Sequence, residues 1–134
     1  MPSSDKEIFS FSSGEGRHKI SLVAIRSGAD LVVNIKGGDR PHVGAISVAI
    51  PRPSLENPRR TSASSSVITL TGHKDDEVAR PLSEKIAREL NRVVVVAAGI
   101  HVDDVKLSDI KTLLSNSNKC AEELISRLRR TNSP

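Results

Sequence analysis

Three histidines occupy equivalent-looking places, each within two positions of a glycine: Arg40-Pro-His42-Val-Gly44, Gly72-His73-Lys74-Asp75 and Gly99-Ile-His101-Val-Asp103. An imidazole can donate or accept a hydrogen bond, carry a proton or ligate a metal. Each motif falls at the end of an expected strand. Residues at strand ends converge on one rim of a sheet, where ligands commonly sit. With Asp75, Asp76, Asp103 and Asp104 they make a His and carboxylate set of the kind that zinc and iron use. The helical His-x-x-x-His spacing that fixes such sites is missing, so no metal is expected. His18 starts a strand among charged neighbours and reads as a surface residue.

The same motifs suit an anion better. Gly72 lets the backbone come close, and the helix expected behind Lys74 directs free N–H groups at a ligand. Lys74, Arg40 and His73 add positive charge, and the hydroxyls of Thr61, Ser62, Ser64 and Ser65 add donors. A phosphate monoester matches this group; ordinary helix capping beside a solvated lysine is the plain alternative. The P-loop pattern Gly-x-x-x-x-Gly-Lys-Ser/Thr is absent. There is no Gly-x-Ser-x-Gly nucleophile elbow, and the two Asp pairs read as turn and helix-start residues. Cys120 has no activating neighbour and reads as a reduced, helix-borne thiol.

The elements that must position these residues follow from periodicity. Ile8–Phe11, Lys19–Arg26 and Leu31–Ile35 alternate as strands, linked by short glycine-bearing turns. His42–Ile50 is a fourth strand, with Ile46, Val48 and Ile50 on one side and small residues between; Pro51 and Pro53 are expected to end it. A polar loop, Ser54–Ser64, precedes a strand at Ser65–Thr71. A helix follows with Val78, Leu82, Ile86 and Leu90 as its buried stripe, Asp75 and Asp76 at its start, and a late beginning or bend at Pro81. The β-branched run Arg92–Ala98 reads as a strand covered on both faces. Two short helices, Ser108–Leu114 and about Asn118–Arg130, are expected either side of Ser115-Asn-Ser-Asn118. The fold class is α+β: an antiparallel sheet of about six strands covered by helices.

Totals narrow the function. The 134 residues suit one domain spanning 1–134. There is no Trp or Tyr, and Phe9 and Phe11 are the whole of the Phe complement, so base stacking on exposed aromatics is unavailable. Twenty Lys and Arg against sixteen Asp and Glu leave +4, concentrated at Arg52, Arg59 and Arg60 and at Arg127, Arg129 and Arg130. Those arginines keep an adaptor or nucleic-acid reading open, but the missing aromatics argue against nucleic acid. One cysteine excludes an internal disulfide framework. No signal peptide and no apolar run near the ~20 residues of a membrane span are seen, so a cytoplasmic protein without membrane contact is expected.

Five segments taken in order resemble one family: Gly38-Asp-Arg-Pro-His-Val-Gly-Ala45, Pro51-Arg-Pro-Ser-Leu55, Thr61-Ser-Ala-Ser-Ser-Ser-Val67, Gly72-His-Lys-Asp-Asp-Glu77 and Gly99-Ile-His-Val-Asp103. Together they resemble the LpdD-like prenylated flavin (prFMN) chaperones that accompany UbiD-type hydroxyarylic acid decarboxylases. The likeness covers about residues 14–116. It implies a fold similar to the proteasome-assembly chaperones and a homodimer. It also implies a flavin-binding protein, not an enzyme, that carries reduced prenylated FMN to an apo UbiD-type decarboxylase. The alternative is an accessory subunit of that decarboxylase with a direct catalytic or metal-binding part. Chemistry then assigns Lys74, Arg40 and His73 to the phosphate, with Ser62 and Ser64 as further donors. It puts His42, His101 and Asp103 nearer the ring, and Gly44 is counted among the cofactor-binding residues.

Overall fold

The computed structural model describes residues 6–70 and 75–131. Strand β1 (Ile8–Ser13) and β2 (Ile20–Ser27) run antiparallel around a 3-10 turn at Gly16–His18, and β2 turns tightly into β3 (Asp30–Gly38). β4 (Ala45–Pro53) and β5 (Thr61–Thr69) form a second antiparallel pair. Helix α1 (Asp76–Leu90) then crosses back, and β6 (Val94–His101) inserts between β3 and β4 to give the order β1-β2-β3-β6-β4-β5. Helix α2 (Leu107–Thr131) closes the chain.

This is the expected α+β sheet with one difference. β6 is antiparallel to β4 but parallel to β3. A strand that arrives through a helix is free of the hairpin constraint, so its direction is set by the crossover.

Both helices pack on one face. α1 lies on β4, β5 and β6, α2 on β1 and β2, and the helices touch each other. Strict alternation puts Ile20, Leu22 and Ala24, then Leu31, Val33 and Ile35, then Val94, Val96 and Ala98 under them. β4 contributes its small residues, Ala45, Ser47 and Ala49. That lets α1 approach until the Ser47 and Ser83 hydroxyls bond at 2.7 Å inside the core. Val78, Leu82 and Ile86 of α1 and Ala121, Leu124, Ile125 and Leu128 of α2 are buried as the sequence patterns predict, while Leu90, the last of the expected α1 stripe, is half-buried against the same core. Cys120 is fully buried, and burial pushes its thiol up to about 11, which keeps it protonated and inert at neutral pH.

The other face of the sheet carries no element of the described chain. A single register row crosses five adjacent strands there, Ile8, Ile25, Val32, Val95 and Val48. Four of these five are exposed, as are Ile50 and Ile68 nearby. The β-branched run of β6 is therefore covered on one side only, contrary to the expectation of cover on both.

Three local expectations also change. β4 runs through Pro51 and Pro53, because its pairing with β6 stops at Ala49 and a missing N–H beyond that point costs no ladder bond on that side. α1 opens at Asp76 and contains Pro81 as an interior residue. The two C-terminal helices are one: Asn116 donates to the His18 carbonyl at 2.8 Å and Ser117 to the Leu113 carbonyl at 2.8 Å. Tertiary and i−4 partners thus satisfy side chains that would otherwise compete with the helix backbone.

Candidate functional site

The rim forms where β3 and β6 end side by side, Gly38 opposite His101, and where the chain turns into β4. Residues 39–44 fold across the end of β6, with the Gly44 N–H donating to the Ala98 carbonyl at 2.8 Å. The main chain of His42 rests directly on Gly99, and a β-carbon at Gly99 would overlap the His42 carbonyl. A β-carbon at Gly44 would overlap the Asp75 carboxylate in the same way. These two glycines exist for contact: each makes room for a group of the site.

Asp75 precedes α1, yet its side chain makes no cap bond to that helix. It turns inward and is 3% exposed. One oxygen accepts the Ile100 N–H at 2.9 Å, and the other lies 3.0 Å from His42 Nε2. That second contact lies within ion-pairing distance, and the two groups are not aligned for a hydrogen bond with each other. His42 Nδ1 lies 3.1 Å from the Arg40 carbonyl. The His42 and His101 rings meet edge to face, centroids 6.5 Å apart at 74°.

From His101 a polar clasp runs outward. Asp103 Oδ1 lies 3.0 Å from His101 Nε2 and accepts from Arg40 at 2.6 Å. The Asp103 N–H donates to Asp39 Oδ2 at 2.9 Å, and Arg17 donates both to that oxygen at 2.9 Å and to the Asp103 carbonyl at 2.5 Å. The hydrogen bond from His101, then that from Arg40, holds the Asp103 carboxyl below the ordinary carboxylate range. The Asp103 N–H, then Arg17, does the same for Asp39. His18 belongs to a neighbouring contact, 2.7 Å from Asp109 Oδ1, and is half-buried in the 3-10 turn instead of starting a strand.

Under the rim lies a cavity of about 340 Å³, lined by Asp75, Glu77, His101 and the aliphatic side chains of Val78, Ile100, Val102, Val105, Ile110, Leu113 and Leu114. Mostly apolar walls with a few convergent polar groups are the usual form of a small-molecule site. Larger open grooves run along α2 but are lined chiefly by charged and polar side chains. Among the described residues no group of three or more His, Cys, Asp or Glu side chains is arranged to hold a metal ion.

Of the residues singled out in the sequence, Arg40, His42, Gly44, His101 and Asp103 come together here. His73 and Lys74 lie outside the described residues. Ser62 and Ser64 are not brought to this rim. They pair with Arg52 and Ile50, whereas the rim end of that hairpin is Thr69 opposite Ala45. At roughly 3.3 Å per residue this sets Ser64 about 17 Å and Ser62 about 23 Å away along β5. Three contributors went unassigned: Asp75, whose position before a helix reads as a cap, and Arg17 and Asp39, which only the meeting of distant loops makes partners.

Comparison with known proteins follows the same lines. A family model for the prenylated flavin chaperone LpdD-like domain matches residues 14–129. The chain is 22% identical over 118 residues to Protein LpdD of Lactiplantibacillus plantarum, covering 88% of this chain and 83% of that protein. Among solved structures it is similar to a chain of a chaperone complex for yeast 20S proteasome assembly, with a TM-score of 0.58, 17% identity, and coverage of 92% and 99%. That likeness establishes the proteasome-assembly-chaperone fold and nothing further. By the match over nearly its whole length, this chain belongs to the LpdD-like prenylated flavin chaperone family.

Proposed function

We propose that this chain binds reduced prenylated FMN at the His42–His101 rim and hands it to an apo UbiD-type decarboxylase, acting in the cytoplasm as a carrier and not as an enzyme. The observation that carries the reading is the aliphatic cavity of about 340 Å³ with His101 and Asp75 at its polar edge. Its walls fit a flat, largely apolar ring system with polar atoms along one side. Ile100, Val102, Ile110 and Leu113 would hold the ring faces, standing in for the aromatic residues that the chain lacks. His101 and His42 would face the ring's polar edge, with Asp103 behind His101. Arg40 would meet the phosphate, and Lys74 and His73, close in sequence to Asp75, are proposed to join it. In the partner enzyme the flavin would supply the reactive ring chemistry of decarboxylation. The chain's own part is to enclose and release it.

The carrier is further proposed to be a homodimer. The uncovered aliphatic row from Ile8 to Val48 favours a second copy as its cover, because two sheets bury such faces against each other.

Anaerobic titration with reduced prenylated FMN tests the reading, followed by addition to apo-decarboxylase. Saturable binding and restored decarboxylation are expected; folded protein that binds none of the flavin refutes it. A second reading, an accessory subunit with a catalytic part, draws on the buried Asp75 carboxylate beside His42. Decarboxylase already loaded with cofactor separates the two. Turnover without this chain supports delivery, and turnover that requires its histidines supports shared catalysis.

A further inference from the structure

Arg17 and Arg40 approach the Asp103 turn from two different loops, and each guanidinium is held by an internal carboxylate. Arg40 meets the Asp103 side chain at 2.6 Å, and Arg17 meets Asp39 at 2.9 Å while reaching the Asp103 carbonyl. Both arginines keep access to solvent, with side chains 71% and 43% exposed. The turn also touches the cavity, since the carboxylate oxygen that binds Arg40 is the one facing His101, a cavity-lining residue.

We propose that Arg17 and Arg40 form the two arms of a phosphate monoester site, and that Asp39 and Asp103 are internal stand-ins which an arriving phosphate displaces. The inference rests on the carrier reading and adds to it a residue, Arg17, and a release device.

The physical case is competition. A guanidinium offers planar paired donors that match carboxylate and phosphate oxygens alike, so one anion can replace the other without rebuilding the fork. Exposed ion pairs are individually weak, so the carboxylates give way readily. The doubly charged phosphate pairs with both arms at once. Once Asp103 leaves Arg40, its hold on His101 also loosens, which couples occupation of the phosphate site to the imidazole at the cavity edge. When the ligand departs, the carboxylates re-form the clasp and oppose rebinding. A carrier that must surrender its cargo needs such a built-in competitor.

The test uses inorganic phosphate as the probe on the full-length, ¹⁵N-labelled protein, reading arginine Nε and backbone signals by NMR. The Arg17 and Arg40 Nε signals and the Asp103 amide are expected to shift saturably. Asp103→Asn should lower the phosphate concentration at the midpoint by three- to tenfold, because it removes the competing charge. Arg17→Gln should raise it by a similar factor and keep the fold. Absence of a saturable shift in wild type, or an unchanged or higher midpoint in Asp103→Asn, overturns the proposal. Should the Asp103 variant fail to fold, Asp39→Asn replaces it with the same expected direction. Flavin binding is measured separately: phosphate shifts without reduced-flavin binding leave the fork standing and remove the carrier reading, and the reverse result removes the fork alone.

Discussion

The two ends of the β4–β5 hairpin invited the same reading and turned out to be different kinds of surface. At the far end Arg52 bonds Ser64, 12 positions away, and the Ser54 hydroxyl serves the N–H groups of Glu56 and Asn57. Each of those contacts is local, made by a hairpin with itself. At the rim, Arg40 meets Asp103 across 63 positions, and Arg17 reaches it across 86. Asp75 bonds Ile100 from 25 positions away. Polar side chains that close long loops are ordered against a large entropy cost, so their convergence marks a designed place better than their number does. Both ends carry arginine. The rim alone joins four separate segments and borders an apolar cavity.

That contrast can be broken or sharpened by experiment. The largest effect is expected from Gly99→Ala, whose new methyl must displace the His42 main chain. Thermal or denaturant unfolding should show a loss of about 3 kcal/mol or more, at the upper end for overpacking, because the obstacle is backbone and cannot swing aside. A near-neutral result would mean that the 39–44 segment does not lie on β6 as described. Asp75→Ala comes next. It leaves the part-buried Ile100 N–H without its carboxylate acceptor and should cost roughly 2–3 kcal/mol by the same measurement. Substituting an ordinary N-cap would cost nearer ~1 kcal/mol, so the size of the loss separates the two roles.

Binding should divide the ends in the same way. His101→Ala is expected to weaken reduced prenylated FMN at least tenfold in anaerobic titration, about 1.4 kcal/mol, while Ser62→Ala and Ser64→Ala leave the affinity unchanged. Equal losses at both ends would remove the rim as the site. Acid offers a gentler probe. Asp103 and Asp39 have carboxyls held below the ordinary range. The stabilisation they give is therefore complete above that range and is lost as pH falls through their lowered values. NMR titration should show the Asp103 amide and Arg40 Nε signals moving as pH falls below the ordinary carboxylate range, with Ser64 and Arg52 not following. The smallest effect is Ser64→Ala on stability, expected within about 0.5 kcal/mol because the contact it removes is exposed and local.

The chain's own order of residues was enough for anything that depends on near neighbours. Alternation located the strands to within a few residues, and the apolar stripes of α1 and α2 appeared at the positions that are now buried. Two of the glycine-flanked histidines, His42 and His101, do share one rim, where β3 and β6 end. Long-range choices were decided elsewhere. Nothing near β6 in the sequence states that it will slot between β3 and β4, or run parallel to one of them. Nothing near Asp75 states that it will abandon its helix for His42 and Ile100. The Ser115–Asn118 stretch looked like a helix break, but the His18 carbonyl takes the Asn116 side chain and the i−4 carbonyl of Leu113 takes that of Ser117. Ser62 and Ser64 were expected as hydroxyl donors to the phosphate, and a strand at ~3.3 Å per residue sets them well along β5 from the rim. Propensity and periodicity are properties of a segment, whereas pairing direction, close approach and the partner of a buried charge exist only once distant segments have closed on each other.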